Sequence, residues 1–198
     1  MPVEIELKAW LDDYESIKGR LSSLGSYVRS YEKTDTYWYP IDEGVSGVTL
    51  PRSGLRIRRD RSTDAGSERV LVTLKKGQVS GGVEVNEERE FSVSNADVFE
   101  ELICDLGLFK GMYKKKYGWE WMVPSETEGL PPIGAEVSMV KDLGWFLELE
   151  LIVRDKGDPL MEKSRKELLS LLERLEISSE KMEARSYTAL LRDRWQNK

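Results

Sequence analysis

Histidine is absent from the 198 residues of this chain. This absence removes the most common general base, the Ser-His-Asp and Cys-His catalytic arrangements, and the most common ligand of zinc. Any chemistry must therefore rest on carboxylates, amines, guanidinium groups, hydroxyls or a hard metal ion that prefers oxygen.

Cysteine and long apolar runs are also scarce. Cys104 is the single cysteine, so no disulfide can form within the chain and a reducing compartment is expected. No apolar run approaches the roughly 20 residues that cross a bilayer, and the N-terminus lacks the basic-then-apolar order of a signal peptide. We expect a cytoplasmic protein without membrane contact.

Excess positive charge is lacking as well. The formal net charge is -6 and the pI about 5.0, which argues against a partner such as nucleic acid, since binding to a phosphate backbone needs a basic surface. Hydrophobic residues make up 39% and charged residues 33%, so the chain is rich in charge but can still bury a core. The length favours one domain over residues 1–198.

Several stretches alternate charged and apolar residues with the period of a β-strand. In Glu4-Ile5-Glu6-Leu7-Lys8 the charged side chains share one face, because successive strand residues point to opposite sides. The simplest interpretation of one such strand is that it belongs to a sheet with one face exposed to solvent. The charged strand positions are Glu4, Glu6, Glu84, Glu88, Glu90, Glu136, Glu148 and Glu150 on the acidic side, and Lys8, Arg56, Arg58, Lys75, Lys114 and Lys116 on the basic side.

Helices and turns are predicted between these strands. The predicted helices begin at Asp12 or Asp13, at Asn95 or Asp97 and at Leu160, and a short one surrounds Tyr187, Leu190 and Leu191. Residues 40–54 are predicted to form a long loop, residues 60–67 a polar turn and residues 108–123 a pair of strands.

The helices must bury their apolar faces on the apolar side of the strands. The charged side then forms either the solvent face of an open sheet or the interior of a closed barrel. A dry, unpaired charged interior would be strongly destabilising, so a barrel requires a wet interior and a highly charged ligand. Lys and Arg can clamp phosphate oxygens, and paired carboxylates can hold Mg²⁺ or Mn²⁺. If the barrel closes, these residues indicate a metal-dependent polyphosphate site; in an open sheet they would form a solvent-exposed face.

The first strand also carries a recognisable signature. Glu4-Ile5-Glu6-Leu7-Lys8 resembles the ExExK motif of the CYTH, or triphosphate tunnel metalloenzyme, superfamily. The elements that follow in the order of that family are Leu55-Arg56-Ile57-Arg58, Thr73-Leu74-Lys75, Glu88-Arg89-Glu90, Lys114-Lys115-Lys116 and Leu143-Gly144-Trp145-Phe146-Leu147-Glu148-Leu149-Glu150. The resemblance runs from about Val3 to Leu191.

Within that superfamily the chain resembles the class IV adenylyl cyclase branch. Asp35-Thr36-Tyr37 and the closing Arg185-Ser186-Tyr187-Thr188-Ala189-Leu190-Leu191 carry this narrower likeness, although helix packing alone would also explain the closing stretch. The resemblance implies an α+β fold, a closed eight-stranded antiparallel β-barrel with a charged interior and helices packed outside. It also implies a possible homodimer.

The resemblance assigns roles by position. Divalent metal would be held by Glu4, Glu6, Glu148 and Glu150, and triphosphate would contact Lys8, Arg56, Arg58, Lys75, Lys114 and Lys116, with Glu88 and Glu90 lining the tunnel. Lys8, Arg58 and Lys75 are the expected catalytic residues. One position departs from the pattern, because Ser138 stands where the family usually has Asp. Either Glu136 replaces that metal ligand or the metal site is altered.

The function implied is conversion of ATP to cyclic AMP and pyrophosphate with Mg²⁺ or Mn²⁺. The ribose 3′-hydroxyl would attack the α-phosphorus in line, a reaction that depends on positioning and electrostatics more than on a strong base. A triphosphatase acting on inorganic or thiamine triphosphate is the first alternative. A non-catalytic module that binds nucleotide or polyphosphate is the second. The partner in each case is a nucleoside or inorganic triphosphate.

Overall fold

A computed structural model describes residues 3–40, 54–80, 82–154 and 158–196 of the chain. The strands are β1 (Val3–Trp10), β2 (Ser26–Pro40), β3 (Leu55–Ser62), β4 (Glu68–Ser80), β5 (Val83–Val93), β6 (Leu108–Val123), β7 (Ile133–Val140) and β8 (Gly144–Val153). The helices are α1 (Tyr14–Leu24), α2 (Ala96–Asp105), α3 (Asp158–Arg174) and α4 (Tyr187–Gln196), with a short 3₁₀ helix at Ser179–Lys181.

The strands form a closed barrel in the order β1-β5-β4-β3-β2-β6-β7-β8, and every neighbouring pair is antiparallel. The α+β class with a closed eight-stranded antiparallel barrel is therefore confirmed. Glu6 pairs with Glu150 and Lys8 with Glu148 across β1 and β8. This register sets the first and last strands of the barrel side by side with their charged residues facing inward.

The main apolar core lies outside the barrel wall. Ile5, Leu7 and Leu149 point outward and are almost completely buried by α1 and α3, to which Leu21 and Leu168 belong. A full side chain of this size contributes about 1.5–3 kcal/mol on burial. Because the helices take up the apolar outer face, the charged inner face has no alternative but to enclose the tunnel.

Two local expectations are corrected. Residues 108–123 form the single strand β6, and the predicted polar turn at 60–67 shrinks because β3 continues to Ser62 and β4 begins at Glu68. Most of the predicted loop at 40–54 lies outside the described residues. Within those residues, no helix has the length and apolarity needed to span a bilayer.

The segment before α4 returns to the barrel. The Glu183 backbone N–H donates to the Lys8 carbonyl at 2.8 Å, and Ala9 forms an isolated bridge with Met182. Leu190 packs with Phe146 and Tyr187 in a smaller cluster next to these contacts. Tyr187, the first residue of α4, is thereby brought to one end of the tunnel.

Candidate functional site in the barrel tunnel

The interior of the barrel is a continuous cavity of about 470 Å³. All eight strands contribute to its wall, and acidic and basic side chains line it in nearly equal number. Every site residue expected from the sequence lies on this wall: Glu4, Glu6, Lys8, Arg56, Arg58, Lys75, Glu88, Glu90, Lys114, Lys116, Glu136, Glu148 and Glu150.

Lys75 joins the carboxylates of β1 and β5. Its Nζ lies 2.7 Å from Glu4 Oε2, 3.1 Å from Glu6 Oε2 and 3.2 Å from Glu88 Oε1. Burial opposes the ionisation of Glu6, but the charges of Lys75 and Lys8 outweigh it and lower the pKa of Glu6 to about 2. Glu6 is therefore a carboxylate throughout the neutral pH range.

Two lysines hold the carboxylates of β6, β7 and β8. Lys116 Nζ forms a very short ion pair with Glu136 and lies 2.8 Å from Glu148 Oε1. Lys33 Nζ contacts Glu136 Oε2 at 2.5 Å and Glu120 Oε1 at 2.7 Å. Burial works against ionisation of Glu136, yet these two lysines hold its pKa well below the usual value.

Asp35 fixes two basic residues of the tunnel wall. Its fully buried carboxylate accepts two hydrogen bonds from Arg58, at 2.7 and 2.8 Å, and lies 3.1 Å from Lys114 Nζ. Such a two-bond contact fixes the plane of the guanidinium group. Burial, with repulsion from Lys116 and Arg58, lowers the pKa of Lys114 to about 8 although Asp35 opposes the shift.

Tyr187 lies between basic side chains from β1 and β6. Its hydroxyl donates to Glu148 Oε1 at 2.8 Å, and its ring centre lies 4.8 Å from Lys8 Nζ and 4.6 Å from Lys114 Nζ. An ammonium group over an aromatic face is attracted by the ring quadrupole. The tyrosine therefore orders the lysines at this end of the tunnel.

Sequence reasoning missed part of the wall. Arg29 pairs with both Asp60 and Glu120, at 2.8 and 2.6 Å, and Arg69 pairs with Asp60 at 2.9 Å. Lys33 was missed as well, although it and Arg29 occupy alternate positions of β2 together with Asp35. That period of two was the signal that could have found them.

The structure answers in part the question of whether Glu136 replaces the carboxylate missing at Ser138. Ser138 is completely buried between Gly118 and Phe146 on the neighbouring strands, whereas Glu136 reaches the cavity. A Cβ on Gly118 would collide with the Val137 carbonyl oxygen and lie 2.8 Å from Ser138 Cα. Of the two alternatives left open, the structure places Glu136 where it can meet a ligand. Its role as a metal ligand stays a prediction.

The chemistry of the carboxylates on β1 and β8 fits a hard divalent cation. Burial raises the pKa of Glu4 well above its usual value, and the negative charges of Glu6, Glu88 and Glu150 add to the effect although Lys75 opposes it. Burial also raises the pKa of Glu150. A bound divalent cation would favour the ionised form of these carboxyls and so offset the cost of burying them. Oxygen donors of this kind are the ligands that Mg²⁺ and Mn²⁺ prefer.

The described residues contain no group of three or more carboxylates already arranged around a metal position. The reason is visible in the ion pairs, because the ammonium groups of Lys75 and Lys116 stand between the acids. Gly134 leaves room at the same place, since a Cβ there would lie 2.9 Å from Glu150 Cγ. The carboxylate of Glu150 therefore depends on that glycine for its space.

Comparison with known proteins identifies the family. A model of the CYTH domain matches residues 2–187, so the chain belongs to the CYTH domain family, and the resemblance of the first strand to that superfamily is confirmed. No curated protein matches the chain.

Solved structures share the fold over nearly the whole chain. A protein from Pyrococcus horikoshii is 25% identical with a TM-score of 0.76, covering 96% of this chain and 98% of its own. A candidate adenylate cyclase from Vibrio parahaemolyticus is 16% identical with a TM-score of 0.71, covering 95% and 97%. A candidate adenylyl cyclase from Hippeastrum, described as having a dominant triphosphatase activity, is 16% identical with a TM-score of 0.63, covering 98% and 96%.

Proposed function

We propose that this protein is a divalent-metal-dependent enzyme acting on a triphosphate, and that its reaction is adenylyl cyclisation of ATP to cyclic AMP and pyrophosphate. The observation that carries the proposal is the meeting of two groups in one cavity. Lysine and arginine side chains from β1, β3, β4 and β6 line this cavity together with carboxylates of β1 and β8, and burial raises the pKa of two of these carboxylates, Glu4 and Glu150. A triphosphate with its cation has the charges that complement both groups.

The two stretches that resemble the class IV branch support the cyclase within this broader class. Asp35 orients Arg58 and Lys114, and Tyr187 contacts Lys8 and Glu148. Tyr187 also packs with Leu190 and Phe146, but both side chains contact the basic residues proposed to bind triphosphate.

The mechanism follows from what these residues can do. Lys8, Arg58 and Lys75 are the proposed catalytic residues, because they stabilise negative charge that builds up as the 3′-oxygen bonds to the α-phosphorus and the bond to the bridging oxygen of pyrophosphate breaks. The proton of the 3′-hydroxyl is released to water. Arg56, Lys114 and Lys116 hold the remaining phosphate oxygens. Mg²⁺ or Mn²⁺, when bound through Glu4, Glu6, Glu148 and Glu150 with Glu136 nearby, would neutralise the same developing charge.

Product analysis tests the proposal. Purified protein with Mg²⁺ or Mn²⁺ is incubated with ATP, inorganic tripolyphosphate or thiamine triphosphate, and we expect cyclic AMP and pyrophosphate from ATP. Orthophosphate without cyclic AMP would identify a triphosphatase, and binding without turnover would identify a binding module. Either result would overturn the cyclase assignment.

Two variants test the tunnel itself. We expect Glu6→Gln and Arg58→Ala to lower kcat/KM by about 100-fold or more, as the loss of a charge-stabilising group does in other enzymes. Arg61→Ala is the matched control, because Arg61 lies on the same strand as Arg58 with an exposed side chain. Unchanged turnover and triphosphate binding in the first two variants would contradict the assignment of the site.

A further inference from the structure

The outer side of α2 exposes a straight row of apolar side chains. Val98, Leu102 and Leu106 are 59%, 51% and 64% exposed, and their spacing of four residues places them one turn after another along the helix. We call these three residues the α2 stripe. Phe91 of β5, which is 54% exposed, extends the apolar surface onto the barrel, because its ring lies edge-on to Phe99 with the ring centres 6.1 Å apart. Single exposed apolar residues are ordinary, but a contiguous row marks an interaction surface.

The fold does not use the α2 stripe for its own core. Each of α1 and α3 buries its apolar side chains against the barrel, as Leu21 and Leu168 show. The inner side of α2 does the same through Ile103, which packs with Ile57 and Val72 of the barrel. The stripe is therefore apolar surface in addition to the side that holds α2 in place.

The helix that carries the stripe is well formed at both ends. The Asn95 side chain accepts hydrogen bonds from the backbone N–H groups of Asp97 and Val98, at 3.1 and 3.2 Å. At the other end the Gly107 backbone N–H donates to the Cys104 carbonyl at 2.9 Å, with φ of Gly107 at 83°. Such caps stabilise a helix without help from a neighbour. A partner would thus meet a preformed surface and would not have to order it.

Acidic side chains border the stripe on the side away from the barrel. At 3.6 residues per turn, Glu101 and Asp105 lie on the opposite side of the stripe from Phe99. Among the described residues, the ion pairs of α2 are made by Asp97 and Glu100, whereas Glu101 and Asp105 are exposed to solvent. The surface is therefore an apolar row with an unneutralised negative edge.

This negative edge indicates what covers the stripe. If two copies paired through antiparallel α2 helices about a two-fold axis, Glu101 and Asp105 of both copies would lie on the same side of the contact and repel each other. The net charge of -6 on each copy adds to that repulsion. A partner with positive charge beside its own apolar row has the complementary pattern.

We propose that the α2 stripe is a docking site for an amphipathic helix of another protein, which presents a row of apolar side chains with lysines or arginines beside them. Two helices pack well when such rows interdigitate. No residue of α2 lines the tunnel cavity, so the docking site is separate from the candidate active site and does not depend on the proposed function.

Fluorescence anisotropy with labelled synthetic peptides tests the proposal. The probe is a helical peptide of about 18 residues with leucine at every third or fourth position and lysine beside each leucine. A comparison peptide carries glutamate in place of every lysine. We expect saturable binding of the lysine peptide, at least about tenfold tighter than that of the glutamate peptide and weakened by added salt.

Variants of the stripe locate the binding. We expect Leu102→Ser to raise the Kd for the lysine peptide roughly tenfold, because buried CH₂ and CH₃ groups are lost, and Leu102→Met to restore most of the binding. Tyr117→Ser, at a similarly exposed position of β6, should leave the Kd unchanged.

Variants of the negative edge test the charge. We expect Glu101→Lys to weaken binding of the lysine peptide about fivefold and to strengthen binding of the glutamate peptide. Glu180→Lys makes the same change in net charge at an exposed position far from α2 in sequence, and should leave both Kd values within about twofold.

The contrary outcomes are distinct. Equal binding of the two peptides, binding that survives Leu102→Ser, or no saturable binding of either peptide would overturn the proposal. A dimer of the unaltered protein in sedimentation equilibrium that Leu102→Ser dissociates would also overturn it, because a second copy would then cover the stripe. Thermal unfolding of each variant checks that the fold is intact.

Discussion

Two buried hydroxyls show how single residues shape the tunnel wall. Tyr31 pairs across β2 and β6 with Gly118, which in turn pairs with Ser138 on β7. Because Gly118 has no side chain, the β7 backbone at Val137 and Ser138 can approach it closely. Among the described residues neither the Tyr31 nor the Ser138 hydroxyl has a partner with good hydrogen-bond geometry, although Tyr31 lies close enough to Glu136 and Ser138 for a weak interaction. Burial, with the charges of Glu136 and Glu148, raises the pKa of Tyr31 well above its usual value.

This arrangement predicts that the Asp usual in the family would not fit here. Ser138→Asp buries another carboxylate close to Glu136, and we expect it to lower the free energy of unfolding by about 2–4 kcal/mol. Ser138→Ala should change that free energy by less than about 1 kcal/mol, since the hydroxyl makes no hydrogen bond. Denaturant unfolding measures both. A stable Ser138→Asp variant with tighter Mg²⁺ binding would show that the position is still a usable metal site.

At the scale of elements, sequence periodicity predicted the strands well and their ends poorly. The alternation of β1, β3 and β8 identified their inward faces, and Lys114 and Lys116 face inward as expected. β6 was wrongly divided because its 16 residues exceed the usual strand length and include Gly111 and Gly118. The buried Asp60 was assigned to a turn because its partners, Arg29 and Arg69, are distant in sequence or on the next strand. No local pattern reports such pairings.

The element that positions Tyr187 depends on one carboxylate. Glu183 accepts from Trp10 Nε1 at 3.2 Å and from Arg185 Nη2 at 2.7 Å, and these bonds hold the end of β1 against the segment before α4. The Arg185 hydrogen bond, opposed by partial burial, lowers the pKa of Glu183 from 4.5 to about 2. The Glu183 side chain is 9% exposed and that of Arg185 is 57% exposed, so solvent partly screens this ion pair and its contribution is smaller than the pKa shift alone would suggest.

A pH series tests that contact. The stabilisation from Glu183 is complete above pH 4.5 and disappears as the pH falls toward 2, because the folded protein holds the ionised form more tightly than the unfolded chain does. We expect Glu183→Gln to lower the free energy of unfolding by about 2 kcal/mol at pH 7, and the difference from the unaltered protein to shrink below pH 4.5. Glu180→Gln, at an exposed acid of the same segment, is the control. A difference that does not change with pH would mean that the charge of Glu183 is not responsible.

At the scale of the whole molecule, stability and binding are divided between the two faces of one sheet. The outer face carries the apolar core under α1 and α3, and the inner face carries ion pairs that a ligand can exchange. The family resemblance identified which charges face inward, because the signature residues alternate. The partner of each charge depends on barrel register, which the sequence does not display.

The ion pairs predict that phosphate and metal bind cooperatively. Lys75 and Lys116 each contact carboxylates in the tunnel, so a triphosphate that takes these lysines leaves Glu4, Glu6, Glu136 and Glu148 less neutralised. A divalent cation at those oxygens removes that penalty. Without triphosphate, a cation should bind weakly, because the ammonium groups of Lys75 and Lys116 occupy the space between the carboxylates. Each ligand should therefore raise the affinity for the other by the same factor.

Thermal unfolding and titration calorimetry measure this coupling. With ATP and Mg²⁺ each at about 100 times its Kd, we expect a stabilisation of at least about 2.7 kcal/mol, or a rise of Tm by several degrees. ATP with EDTA, or Mg²⁺ alone, should give much smaller shifts, and the Kd for ATP should fall at least about tenfold when Mg²⁺ is present. Glu6→Gln removes one of the carboxylates that lose their lysine partner when triphosphate binds. The Kd of this variant for ATP should therefore depend less on Mg²⁺. If ATP binds equally well with EDTA, the lysines are not shared between carboxylates and phosphates, and the tunnel binds its ligands independently.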